Sequence, residues 1–153
     1  PWRFTYVSDA SKDDRCIFCD LLALNDDAKA LIVLRGQKNY VVLNRFPYTS
    51  GHVMIVPYTH IAELSACDPD TLSEMMSLAQ RIERALAVVY KPEGYNLGMN
   101  LGRCAGAGVA GHLHLHLLPR WSGDSNFMTV VGNTRVAPED LDTTYRKLRQ
   151  ALS

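Results

Sequence analysis

The chain has 153 residues, of which 47% are hydrophobic and 21% are charged, and these proportions are typical of one globular domain. Sixteen Lys and Arg residues balance sixteen Asp and Glu residues, which argues against a nucleic acid polymer as partner because that binding needs a basic surface. No apolar run reaches the roughly 20 residues that span a bilayer, and the start at Pro1 lacks the layout of a signal peptide. We therefore expect a single cytoplasmic domain over residues 1–153, with no membrane partner.

The first part of the chain predicts an arm, a short helix and an antiparallel meander. Residues 1–15 are expected to form an N-terminal arm on the surface, followed by a short helix within 16–24. Three runs rich in β-branched or aromatic residues come next, separated by Gly, Asn or Pro, and they predict antiparallel strands. These runs are Leu31–Leu34, Tyr40–Leu43 and His52–Val56.

A long amphipathic helix is predicted from the middle of the chain. Asp68 suits an N-cap and Pro69 suits the first helical position. Apolar residues then recur at helical spacing up to Tyr90, and we assign Met75 and Met76 to this apolar stripe.

Two strands and a closing helix complete the predicted fold. The strands are expected at Tyr95–Leu101 and His112–Arg120. A C-terminal extension, 129–153, is expected to contain a helix that starts near Pro138 and runs through Leu152. This order of elements predicts an α+β fold, in which one long helix and a C-terminal helix pack on a mostly antiparallel sheet.

Three of the five histidines, His112, His114 and His116, stand at alternate positions. On a strand such side chains share one face, about 6.5 Å apart, while the intervening leucines face the core. Imidazoles titrate near neutral pH and can act as nucleophile, general acid or metal ligand. The alternative is a half-exposed strand whose polar face happens to be histidine, but the strict period of two favours a functional site.

Two further patterns leave alternatives open. Cys16 and Cys19 have the spacing of half a tetrahedral zinc site, but they also fit a redox pair or two buried thiols. The loop from Gly102 to Gly108 is rich in Gly and Ala, so its backbone N–H groups can approach a phosphate closely. A plain hairpin loop explains the same composition, and only the position beside the histidines favours phosphate.

Together these motifs resemble the histidine triad (HIT) superfamily. They are Cys16-x-x-Cys19, Asn44-Arg45-x-Pro47, Gly51-His52-Val53-Met54-Ile55-Val56-Pro57, His60 and His112-Leu113-His114-Leu115-His116-Leu117-Leu118-Pro119-Arg120. The segments 100–108 and 119–128 further resemble the bacterial branch of diadenosine tetraphosphate phosphorylases and HIT-family hydrolases. The chain departs from the commoner hydrolase and phosphoramidase pattern, because 108–111 stands where that pattern has a Gly-Gln pair.

The resemblance implies a role for each motif. His114 would be the nucleophile that attacks the α-phosphorus and forms a nucleotidyl-histidine, a reaction that a neutral imidazole can perform. His116 would contact the phosphate oxygens and help the leaving group depart. The implied substrate contacts are Asn44, His52, Asn100, Gly106 and Gly108.

The first triad histidine, His112, is implied to be structural as well as part of the triad. In zinc-bearing members of the superfamily the metal is held by positions that correspond to Cys16, Cys19, His60 and His112. We therefore expect a closed structural zinc site that pins the N-terminal arm beneath the triad strand, and no organic cofactor.

These implications lead to one leading hypothesis and three alternatives. The leading one is nucleotidyl transfer from dinucleoside polyphosphates, with phosphate or water as acceptor, by a homodimer that acts on a small nucleotide substrate. One alternative is a hydrolase of dinucleoside polyphosphates or nucleoside phosphoramidates. The others are a nucleotide-binding regulatory protein with little turnover and a zinc-stabilised domain without catalysis.

Overall fold

The computed structural model describes residues 15–125 and 139–153. Most of the predicted arm, the start of the predicted extension and Pro138 lie outside these described residues. Within them, five strands form one antiparallel sheet in the order β1-β2-β3-β5-β4. The strands are β1 (Ile32–Arg35), β2 (Asn39–Leu43), β3 (Val53–Pro57), β4 (Gly94–Gly98) and β5 (Leu115–Arg120).

In the part of the chain that the structure describes, four α-helices accompany the sheet and make the fold α+β, as the sequence predicts. They are α1 (Ile17–Ala23), α2 (Asp27–Ala30), α3 (Pro69–Tyr90) and α4 (Leu141–Leu152). The short helix α2 is not predicted from the sequence, and the Asp26 side chain caps it by accepting a bond of 3.1 Å from the Lys29 N–H. None of the helices in the described ranges is long and apolar enough to cross a membrane.

The long helix α3 has the predicted bounds, but its apolar stripe is narrower than predicted. It starts at Pro69 directly after Asp68 and ends at Tyr90. Met75 is 1% exposed, as expected for the core, whereas Met76 is 49% exposed. The assignment of Met76 to the core is therefore wrong, because neighbouring positions point about 100° apart on a helix and only one can lie at the centre of a narrow stripe.

The core lies where α3 and α4 pack on the sheet and on each other. Leu115 and Leu117 of β5 are 4% and 3% exposed and alternate with His116 along the strand. Gly51, just before β3, is packed so closely that a Cβ there would lie 2.9 Å from the Leu86 side chain of α3. Its φ of +81° also favours glycine, so the backbone that enters β3 lies directly against the long helix.

The strand that carries the triad is shorter than predicted. It begins at Leu115, so His116 lies on the strand while His112 and His114 lie in the segment before it. The N–H of Leu113 donates to the carbonyl of Ile61 at 2.6 Å, outside the ladder between β3 and β5.

Pro57 accounts for this early end of the ladder. The register pairs Ile55 with Leu115, which would bring Pro57 opposite Leu113. The N–H groups of successive residues on a strand point to opposite sides of it. The Tyr58 N–H donates to the Lys38 carbonyl on the β2 side, so the backbone nitrogen of Pro57 faces β5. Because proline has no N–H, it cannot continue the ladder there. Strand β4 also ends before the predicted Leu101, at Gly98, whose partner on β5 is His116.

Candidate functional site

The backbone of the triad segment fixes which ring nitrogen of His114 carries the proton. The His114 Nδ1 lies 2.8 Å from the carbonyl oxygen of His112, and a carbonyl can only accept, so Nδ1 carries hydrogen. The side chain is 5% exposed, and this burial lowers the pKa of His114, although the bond to the carbonyl opposes part of the effect. The neutral ring that results has an unprotonated Nε2.

A second chain of hydrogen bonds assigns the proton on His116. The Tyr48 N–H donates to His52 Nδ1 at 3.1 Å, so Nδ1 of His52 is an acceptor and its Nε2 carries the hydrogen. That Nε2 lies 2.9 Å from His116 Nδ1 and donates to it. His116 therefore carries its own proton on Nε2. His52 is an implied substrate contact, and its side chain is 1% exposed and lies directly against His116.

An open cleft lies against the side chains of His114 and His116. Its lining includes two of the predicted substrate contacts, Asn44 and Gly108. The sequence reasoning missed the other residues of the lining. They are Ile17, Phe18, Leu21, Leu43, Arg45, Phe46, Tyr48, Met54 and Val109.

The missed residues give the cleft an apolar wall and one positive charge. The ring centre of Phe18 lies 5.0 Å from that of His114, in contact with the triad. Arg45 is the positively charged residue of the lining, and its guanidinium donates to the Lys29 carbonyl at 3.3 Å. A sequence signal was available for these residues, because Phe18 lies between the paired cysteines and Arg45 lies within the motif that contains Asn44.

The glycine-rich loop before the triad contains a short 3-10 turn, Arg103–Ala105. Its flanking Gly102 and Gly106 have φ values of +83° and +88°, which glycine adopts without strain. The Asn100 side chain donates to the Gly106 carbonyl at 3.4 Å, across this turn. Asn100 and Gly106 are thus bonded to each other, and neither belongs to the lining of the cleft in the described residues.

The four predicted metal ligands lie together. The ligand atoms of Cys16, Cys19, His60 and His112 are all within 4.8 Å of one another. Cys16 Sγ lies 3.3 Å from His112 Nδ1, and Cys19 Sγ lies 3.4 Å from His60 Nδ1. His112 Nε2 donates to the Pro57 carbonyl at 2.9 Å, so Nδ1 presents a lone pair to the sulfurs.

These distances fit a tetrahedral zinc ion. Zinc bonds of about 2.3 Å to sulfur and about 2.0 Å to nitrogen at a tetrahedral angle place the two ligand atoms about 3.5 Å apart. The sulfur to nitrogen distances to His112 Nδ1, 3.3 Å from Cys16 and 3.8 Å from Cys19, lie on either side of that value. The cluster therefore has the donor set and the spacing of a closed structural zinc site, and it could bind this metal.

Comparison with known proteins agrees with the fold and the triad. The model of the HIT domain matches residues 25–123, well over half of the chain. This chain therefore belongs to the HIT domain family.

Individual relatives add detail. The AP-4-A phosphorylase of Mycobacterium tuberculosis is 38% identical over 97% of this chain and 80% of its own length. The crystal structure of a Zn-bound histidine triad family protein from Mycobacterium smegmatis is 32% identical, with a TM-score of 0.73, and the match covers 90% of this chain and 92% of that one. The structure of the Plasmodium falciparum diadenosine triphosphate hydrolase is 13% identical with a TM-score of 0.65, over 83% of this chain and 76% of that one, and shares the fold.

Proposed function

We propose that this chain is an enzyme that transfers a nucleotidyl group from a dinucleoside polyphosphate to phosphate, through a covalent intermediate on His114. The observation that carries the proposal is the bond from His114 Nδ1 to the His112 carbonyl, which leaves Nε2 as the nucleophilic nitrogen beside the cleft. The similarity to an AP-4-A phosphorylase supports the choice of substrate and acceptor.

The reaction proceeds in two displacements. In the first, His114 Nε2 bonds to the α-phosphorus of diadenosine tetraphosphate, and the bond from that phosphorus to the bridging oxygen breaks to release ATP. In the second, an oxygen of inorganic phosphate attacks the same phosphorus, and the bond to His114 breaks to release ADP. His116, with its proton on Nε2, hydrogen-bonds the phosphate oxygens and assists the departing oxygen.

The substrate lies along the cleft in this proposal. The nucleobase packs against the apolar wall formed by α1, where Phe18 and Leu21 are buried. The ribose contacts Asn44, and the reacting phosphate lies between the triad and the loop that contains Asn100, Gly106 and Gly108. The donors of that loop stabilise charge on the phosphate oxygens as the transition state forms.

The metal cluster supports this site without taking part in the chemistry. Cys16, Cys19, His60 and His112 would hold a zinc ion through four protein ligands, and the ion would supply structural cross-linking. His112 is the shared residue, since its ring faces the cysteines while its carbonyl holds the proton of His114 in place.

We further propose that residues 1–153 form one domain and that two copies pair through β4. This strand is at the edge of the sheet and has an exposed Leu97, 47% accessible. Such an edge offers unpaired backbone groups to a second strand. Pairing two copies there would extend the sheet across the contact.

Product analysis of diadenosine tetraphosphate turnover tests the proposed reaction. The nucleotides released with and without inorganic phosphate are separated by chromatography. We expect ADP and ATP, in amounts that depend on phosphate. AMP and ATP irrespective of phosphate would show that water is the acceptor and that the protein is a hydrolase. Tight AMP binding without turnover would instead favour a regulatory nucleotide-binding protein.

A further inference from the structure

Helix α1 belongs to the metal cluster and to the cleft at the same time. Cys16 is the residue before its first turn and Cys19 lies within that turn. The intervening and following positions, Ile17, Phe18 and Leu21, line the cleft beside His114 and His116. Because the helix has only seven residues, its metal ligands and its cleft residues cannot move independently.

In the described residues, the anchors of α1 outside the cluster are mainly apolar contacts with the core. A helix of this length is marginal by itself, and its N-cap residue, Cys16, makes no side-chain capping bond. Burial of Phe18 and Leu21, at 2% and 8% exposure, holds one face. The Tyr40 hydroxyl donates to the Phe18 carbonyl at 3.0 Å. Cross-links from Cys16 and Cys19 through a metal would tie the helix to distant parts of the chain.

His112 and Phe18 connect the two sites. The Phe18 ring packs against both histidine rings, with its centre 5.5 Å from that of His112 and 5.0 Å from that of His114. A shift of α1 away from His112 would therefore remove Phe18 from the cleft wall and from the nucleophile together.

We propose that metal bound by Cys16, Cys19, His60 and His112 sets the nucleotide affinity of the cleft by fixing the position of α1. The proposal rests on the proposed function, because it takes the cleft to be a nucleotide site. Loss of the metal lets α1 move and opens the apolar wall. Coupling between two sites is reciprocal, so zinc strengthens AMP binding, and AMP strengthens zinc binding, by the same factor of about 5- to 150-fold.

Two binding measurements and one exchange measurement test this coupling on the full chain. The AMP dissociation constant is measured by calorimetry on chelator-treated protein and on the same protein loaded with Zn²⁺. The Zn²⁺ dissociation constant is measured by competition with a chromophoric chelator, with and without AMP. Amide hydrogen exchange over 15–24 reports on α1. We expect zinc to slow this exchange, and both affinities to rise by matching factors.

Matched variants distinguish the effect of losing a metal ligand from the general effects of a substitution. His60 is an exposed ligand that does not line the cleft, so His60→Ala removes a metal bond and leaves the apolar core intact. In this variant AMP affinity should no longer depend on zinc. Cys67 is a buried thiol outside the cluster, and Cys67→Ser should respond to zinc like the unmodified chain.

The outcomes distinguish this proposal from the proposed function. Equal AMP affinity with and without zinc overturns the coupling and leaves nucleotide binding in the cleft intact. Unchanged exchange over 15–24 overturns the role of α1 as the connection. If AMP binds neither form, the proposed function fails, and the coupling fails with it.

Discussion

At position 114 the backbone selects the nitrogen that can react. A free imidazole distributes its proton between two nitrogens, but the carbonyl of His112 accepts a bond from Nδ1 of His114 and removes that freedom. At position 116 the same selection is made in two steps, by the N–H of Tyr48 and the ring of His52. His114 and His116 therefore each carry their proton on one defined nitrogen. Different parts of the chain determine which nitrogen that is.

Replacing His114 by Asn should abolish turnover and keep binding. The variant lacks the nitrogen that attacks phosphorus, so we expect turnover of diadenosine tetraphosphate to fall by at least about 10³-fold. AMP affinity should remain within about fivefold, because most of the apolar cleft is unchanged. Steady-state kinetics and calorimetry measure the two quantities. Near-normal turnover in a correctly folded variant would show that the covalent mechanism is wrong.

His52 provides a test of the second proton assignment. His52→Leu removes the donor to His116, and we expect kcat to fall about 10- to 100-fold with little change in KM, by analogy with losses at other supporting hydrogen bonds. His52→Gln is the matched control, since its side-chain amide can still donate toward His116 and should restore part of kcat. If His52 instead contacts the substrate, as the sequence implied, both variants should raise KM.

At the scale of elements, one carboxylate joins the turn between β1 and β2 to helix α3. Glu74 accepts from the N–H groups of Gln37 and Lys38 at 2.6 and 2.8 Å, and from the side chain of Asn39 at 2.8 Å. Burial opposes ionisation of Glu74, but these bonds from Asn39, Gln37 and Lys38 outweigh it, so the pKa of Glu74 is lowered. The charged form is therefore the one that the fold favours.

The stabilisation from Glu74 should depend on pH. The pKa of Glu74 in the folded protein is below its unfolded value of 4.5. Its contribution to the free energy of unfolding is therefore complete above pH 4.5 and is lost as the pH falls through the folded pKa. Glu74→Gln should lower the free energy of unfolding by about 1–3 kcal/mol at neutral pH, and by less at about pH 3. Urea unfolding at both pH values measures this difference. An equal loss at both values would contradict the assignment.

At the scale of the whole molecule, the exposed edge of the sheet leads to a prediction about assembly. Leu97→Glu places a charge on the edge strand β4 and should convert a dimer to a monomer in sedimentation or light scattering. Leu64 is also exposed, at 40%, but lies in a 3-10 turn outside the sheet, so Leu64→Glu is the control and should leave the dimer intact. A monomer in the unmodified chain would refute the proposed pairing.

The sequence by itself determined the α+β class, the bounds of the long helix and the family, because periodicity, capping residues and the alternating histidines are local signals. It also supplied the set Cys16, Cys19, His60 and His112, which the structure brings within 4.8 Å. These four ligands were inferred from the resemblance to the HIT superfamily, because residues 16 and 112 are far apart in the sequence and no local pattern shows that they lie together.

Tertiary structure decided the features that depend on distant segments. Pro57 on β3 determines where the triad strand begins, and no local pattern around His112 contains that information. The position of His52 behind His116 follows from the pairing of β3 with β5. The cleft wall formed by Phe18 arises because α1 packs over Tyr40 and the triad. These contacts are set by packing between segments far apart in the chain, so they follow from the fold and not from local sequence pattern.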